Sequence, residues 1–236
     1  MATYTINQNV DTAITDFGMI KQAIVNKGVS VPTGTPTSQY AAKIASIPSG
    51  GGSDEDFQTL IDRSLAGTVT IPDNTTDIGM YAFAYCEELE DVVIPNTVTN
   101  IHAYAFGGCE SLELTSLPNS ITEIGDNAFE GCTSLALTSL PNGLTVINEG
   151  TFWQCRNLAL TSLPSGITYI GSGAFNQCRG LTTLTFLGTP SFIASDAFSN
   201  CTNLTTINVP WSNGDVSGAP WGATNATITY DYVPTP

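Results

Sequence analysis

Cys86, Cys109, Cys132, Cys155, Cys178 and Cys201 are the cysteines of this chain, and each lies 23 residues after the last. Six thiols could make a disulfide set, a metal site or a buried ladder. If the chain repeats at that interval, successive thiols stack and point the same way, which suits poorly the ~90° torsion of a disulfide. No C-x-x-C pair is present and His102 is the single histidine, so a zinc site lacks its usual ligands. The expectation is a column of reduced cysteines acting as small apolar residues.

Other reactive residues are equally poor in catalytic context. His102 fills the slot held by Gly79, Gly125 and Gly171 in related stretches, and reads as a surface substitution. Between Gly67 and Leu135 lie 11 acidic residues and no Lys or Arg, yet their spacing forms no D-x-D-x-D-G loop, so they read as a solvated face rather than a calcium site. No Ser-His-Asp arrangement, glycine-rich phosphate loop or matched carboxylate pair is found. The chain is expected to be no enzyme and to need no metal or cofactor.

Two groups could bind a ligand. The stretches Leu112-Glu-Leu-Thr-Ser-Leu, Leu135-Ala-Leu-Thr-Ser-Leu and Leu158-Ala-Leu-Thr-Ser-Leu recur in register. Strict strand alternation from Leu117, Leu140 and Leu163 would bury Thr115, Thr138 and Thr161. It would push Leu114, Leu137 and Leu160 outward, beside Ser116, Ser139 and Ser162, as an apolar ligand face. A local bulge in each strand would instead turn those leucines inward. That second reading is favoured, because three exposed leucines in register invite aggregation. The other group is aromatic: Trp211 and Trp221, each after a proline, could form a sugar-binding platform, although a C-terminal cap is the plainer reading.

These residues must be held by a repeating frame. Phe83, Phe106, Phe129, Phe152, Phe175 and Phe198 keep the 23-residue interval, as do Leu89, Leu112, Leu135, Leu158, Leu181 and Leu204. Ile78, Ile101, Ile124, Ile147, Ile170 and Ile193 form another column, and Pro72, Pro95, Pro118, Pro141 and Pro164 a further one. Columns in register mean stacked coils that bury their apolar faces against one another. Each unit has an extended segment and a short helix-like arc, so the strands must pair in parallel. The predicted fold is an α/β solenoid, a slab of six 23-residue coils roughly 30 Å long at ~4.8 Å per strand.

Flanking segments divide the 236 residues further. Residues 1–47 read as a small helical module. One helix is capped by Thr15 or Asp16, runs through Phe17, Ile20, Ile24 and Val25 and is ended by Gly28, and a second covers Ser38–Ile47. The module is too small to be stable alone and so suited to assembly. Residues 48–53 are a Gly-rich linker. Residues 54–68 read as an N-terminal capping helix, opened by Ser53 and the acids Asp54, Glu55 and Asp56. The six repeats span 69–206, and 207–236 forms a C-terminal cap with a strand from Ala226 to Val233.

Composition sets outer limits. Charged residues are 11% of the chain, against ~25% in average proteins, and Thr, Ser and Asn take their place. A net charge of −15 repels phosphate backbones, so nucleic acid is not an expected partner. No stretch reaches the ~20 apolar residues of a membrane span. The opening Met-Ala-Thr-Tyr-Thr-Ile lacks the pattern of a secretory signal, so synthesis in the cytoplasm and release within a virion or particle are expected.

The stretch from Ile94-Pro95 through Val98, Thr99, Ile101, Ala105, Phe106 and Cys109 to Leu112 resembles the BspA-like leucine-rich repeat, Ile-Pro-x-x-Val-Thr-x-Ile-Gly-x-x-Ala-Phe-x-x-Cys-x-x-Leu. The resemblance covers all six repeats. The sixth departs from it, with Leu187 in the proline slot and Pro190 three residues on. A second resemblance is at the ends. Ile20-Lys-Gln-Ala-Ile-Val-Asn-Lys-Gly28 and the tail from Val209 to Tyr230 are similar to segments of phage and prophage structural proteins of gut Firmicutes.

Together they imply a non-enzymatic binding or display protein: a phage fibre, tail or head-decoration protein, oligomeric or virion-attached through residues 1–47, presenting the slab to a bacterial surface protein or glycan. A BspA-like cell-surface adhesin and a purely structural virion component are the other readings.

Overall fold

A computed structural model describes residues 66–71 and 73–234. The module at 1–47, the linker at 48–53 and most of the expected capping helix lie outside these residues. Gly67 and Thr68, assigned above to that helix, instead open a strand. Among the described residues there is no helix, and the arcs are chains of turns.

Twelve short strands, numbered in chain order, form two parallel strips along the solenoid. The first contains β1 (Gly67–Thr70), β3 (Leu89–Val93), β7 (Ser162–Leu163), β9 (Thr183–Phe186), β11 (Thr206–Asn208) and β12 (Thr227–Thr229). The second contains β2 (Asp77–Ile78), β4 (Asn100–Ile101), β5 (Glu123–Ile124), β6 (Val146–Ile147), β8 (Tyr169–Ile170) and β10 (Phe192–Ile193). Every pairing is parallel, and between repeats it joins like positions, as in Ile78 with Ile101 and Leu184 with Ile207. Most Leu, Val and Ile point inward and most Thr and acids outward, the alternation a strand solvated on one face requires, with Val93 and Val146 as outward exceptions.

The arcs bond across coils as well. The amides of Phe83, Phe106, Phe129, Phe152 and Phe175 donate to the carbonyls of Ala105, Ala128, Thr151, Ala174 and Ala197 in the following coils, at 2.7–2.9 Å. The arcs thus add a third line of inter-coil bonds beside the two strips, which are themselves interrupted between β3 and β7 and between β5 and β6.

The core is a set of residue columns. Neighbouring Phe rings from Phe83 to Phe198 stack with centroids 5.1–5.7 Å apart and interplanar angles of 2–13°. All six phenylalanines are 0–2% exposed. Beside them the cysteines are free and buried. The thiols of Cys109, Cys132, Cys155, Cys178 and Cys201 donate to the carbonyls of Phe83, Phe106, Phe129, Phe152 and Phe175 at 2.9–3.0 Å. Burial pushes the Cys109, Cys132, Cys155 and Cys178 thiols far up, and that of Cys201 to about 12. Thiolate is thereby suppressed, and these residues act as packing.

Two columns of the arc need a left-handed backbone. One runs through Tyr81, Tyr104, Asn127, Gly150 and Gly173, the other through Tyr85, Gly108, Gly131, Gln154, Gln177 and Asn200. Glycine is free of strain there and the other residues are not. At Gly108, with φ of 76°, an added Cβ would also meet the Tyr85 ring.

The irregular sixth repeat has a simple cause. The Leu187 amide donates to the Leu163 carbonyl at 3.1 Å, a bond a proline could not make. Replacing the proline extends the ladder by one residue, and Pro190 is buried further along.

Candidate functional site

The outer face of the first strip carries the residues singled out in the sequence as a ligand face, and local sequence decides its character. In the three Leu-x-Leu-Thr-Ser-Leu stretches the inward residues fall at the first, third and sixth positions. Leu114, Leu137 and Leu160 are 7%, 0% and 2% exposed, so they belong to the core. The apolar ligand face they would have made is not there, and the bulged reading holds. Thr115, Thr138 and Thr161, which strict alternation would bury, are exposed instead. Ser116 and Ser139 are exposed and Ser162 half-buried, so this part of the face is a patch of hydroxyls.

The bulge has a cost in pairing. In these rungs the middle inward residue lies third rather than fourth, and no regular strand forms over 112–117 and 135–140. The bonds joining these stretches across coils are reduced to Ala136 N–H to Leu114 C=O (3.1 Å), Thr138 N–H to Thr115 C=O (3.4 Å) and Ala159 N–H to Leu137 C=O (3.1 Å). The first strip is thus two sheets, β1–β3 and β7–β9–β11–β12, with a loosened stretch between them.

The C-terminal sheet is regular. Its outward residues are Ser162, Thr183, Thr185, Thr206, Thr227 and Thr229; the buried Asn208 donates its amide to the Thr185 hydroxyl at 3.2 Å. None carries a charge. This threonine array escaped the reading of the sequence; its signal was the alternation in Leu181-Thr-Thr-Leu-Thr-Phe, Leu204-Thr-Thr-Ile-Asn-Val and Ala226-Thr-Ile-Thr-Tyr.

Trp211 and Trp221 do not form a sugar platform. They are 4% and 0% exposed, wedged against Phe186 and each other with ring centroids 5.2–6.3 Å apart. Trp221 Nε1 donates to the Ser217 carbonyl at 2.8 Å, while Trp211 Nε1 is buried without a partner. Both indoles plug the end of the core, and β12 pairs with β11 to cover it. That strand spans three residues, shorter than the expected Ala226–Val233.

On the second strip the outward column reads Asp77, Asn100, Glu123, Val146, Tyr169, Phe192, changing from polar to aromatic along the rod. Tyr169 and Phe192 are exposed and stacked at 5.1 Å. His102 lies on the surface with Nε2 3.5 Å from Asp77 Oδ1, while the Thr76 hydroxyl and Asn100 amide donate to the same carboxylate at 2.5 and 2.7 Å. Partial burial works to raise the Asp77 pKa; the three hydrogen bonds and the His102 charge outweigh it and hold the group below its ordinary 3.8. Among the described residues no three His, Cys, Asp or Glu side chains are placed to share a metal ion.

Parallel strips, a 23-residue period and an inward leucine column define a leucine-rich-repeat solenoid. Residues 63–159 match the family model for the BspA type leucine rich repeat region, with 6 copies. The matched stretch is of this repeat type, and its columns continue past the match to Leu204. The T. pallidum leucine-rich repeat protein is similar in structure, with a TM-score of 0.52 and 28% identity over 62% of this chain and 78% of that one. A leucine-rich repeat protein from Eubacterium ventriosum shares the fold, with a TM-score of 0.51 and 24% identity over 72% of this chain and 44% of the other. This chain therefore spans less than half of the Eubacterium protein. No curated protein sequence matches it.

Proposed function

We propose that the protein is a non-enzymatic binding and display module. It meets a protein or glycan of a bacterial surface through the outer face of its first strip. The observation that carries this reading is the uncharged face of β7, β9, β11 and β12, a rigid array of threonines repeated from rung to rung on a closed core. Such a face offers hydroxyls at fixed spacing with little ordering cost on binding, and several copies held together would multiply weak contacts. The repeat type favours a surface adhesin as the carrier. The likeness of both ends to phage structural proteins favours an oligomeric virion component attached through residues 1–47. Immunogold labelling of producing cells and of released particles separates the two carriers.

The binding claim is tested with the labelled full chain on intact bacterial cells and on a glycan array. Replacing Thr183, Thr206 and Thr227 together by alanine is expected to lower cell binding about tenfold while leaving the melting temperature nearly unchanged. Cell binding by the triple variant equal to that of the parent, or no binding by the parent, would refute the reading.

A further inference from the structure

The other end of the same face carries a feature that does not depend on the threonine array. Between the rungs at 89–94 and 112–118 the ladder opens. The Glu113 amide donates to the Glu90 carbonyl at 2.8 Å, and beyond that no backbone hydrogen bond joins residues 91–94 to 114–118. The far side of β3 is thus an unpaired sheet edge inside the slab. Its Val92 amide is held only by the neighbouring Asp91 carboxylate, at 2.9 Å.

The opening is a cleft of about 620 Å³. That lies within the ~300–1,000 Å³ of ordinary ligand clefts, room for a few residues of extended chain. Its floor includes Leu114 and Leu117, at 7% and 9% the most exposed members of their two leucine columns. Its rim carries Glu90, Asp91 and Glu113, all exposed. None has a cationic partner among the described residues, where the one ion pair is that of His102 and Asp77.

We propose that this cleft receives an extended, lysine- or arginine-bearing segment of a partner protein, laid along residues 91–94 as an added strand. The unpaired edge supplies backbone bonds, Leu114 and Leu117 offer a small apolar contact, and the three carboxylates select cations. The surrounding acidic field, without Lys or Arg from Gly67 to Leu135, draws such a segment in.

The test uses the full chain and a fluorescent peptide of about ten residues alternating lysine with threonine. Micromolar binding that weakens between ~50 and ~300 mM salt is expected. Glu90→Gln with Glu113→Gln should weaken it about tenfold, whereas Asp73→Asn with Asp126→Asn, the same charge change elsewhere, should alter it less than about twofold. N-methylation of alternate peptide amides should also abolish it. Absence of binding, equal losses in the two double variants, or indifference to N-methylation would overturn the proposal. Loss of self-association in the cleft variant without any peptide binding would assign the cleft to a second copy, and would overturn it too. Failure of the threonine-face variant to alter cell binding bears on that other reading alone, since no residue is shared.

Discussion

Residues 89–118 and residues 181–209 follow the same 23-residue rule and bury the same columns, yet present different surfaces. At the first, the ladder is open, the rim is acidic and the floor leucines are slightly uncovered. At the second, β9, β11 and β12 pair in register, the outward residues are threonines, and two buried indoles close the core. The two regions also differ in where the middle inward residue falls: at the fourth position in Leu181-Thr-Thr-Leu, at the third in Leu112-Glu-Leu. The solenoid keeps its core constant while the surface above it changes from a cleft to a closed sheet.

The largest test of that comparison is to show that the core does not share in it. Phe106→Ala beneath the open end and Phe175→Ala beneath the closed end should each cost ~3–5 kcal/mol by denaturant unfolding. A cost near zero at one of them would mean that the phenylalanine stack does not support both ends alike. Next come the two kinds of residue within one bulged rung. Leu137→Ala should lose ~2–5 kcal/mol, and Ser139→Ala should stay within about 0.5 kcal/mol. The reverse order would return the leucine to the surface.

Gly108→Ala should cost roughly 1–2 kcal/mol, because it places a side chain in the left-handed region against the Tyr85 ring. Gln154→Gly, in the same column, should be neutral or slightly stabilising by thermal melting. The smallest effect is at Asp77. Its pKa is lowered in the folded state, so its contribution is present above the unfolded pKa and lost as pH falls through the folded one. The group is well exposed and screened, so the pH effect on stability will be slight. His102→Ala should raise the Asp77 pKa in a carboxyl-detected NMR titration; an unmoved pKa would remove His102 from the cause.

The columns were legible in the sequence because each is made of one residue type at one interval, and stacking like on like needs no knowledge of distant partners. Phe129 between Phe106 and Phe152, and the inert thiol column, follow from spacing alone. The strand face was only half legible. Leu114, Leu137 and Leu160 could be read outward by alternation or inward by a bulge, and hydrophobicity favoured the bulge without revealing that pairing would fail there. The cleft was invisible, since the same change of apolar spacing between the rungs at 158–163 and 181–186 leaves them paired. Trp211 and Trp221 were ambiguous for another reason: the ring that buries them, Phe186, lies on a preceding rung, and the sequence gives no interval linking them. The short arc suggested a helix from its Ala-Phe content, whereas inter-coil bonds at Phe and Tyr positions draw it into turns.

The difference between an interrupted and a continuous ladder is measured most directly by amide hydrogen exchange on the folded full chain. The amides of Thr115, Ser116 and Leu117 should exchange at least about a hundredfold faster than those of Thr185, Leu187 and Thr205, whose partners are the Thr161, Leu163 and Thr182 carbonyls at 2.9–3.1 Å. Equal, strong protection of both groups would show a closed sheet along the whole slab and contradict the account.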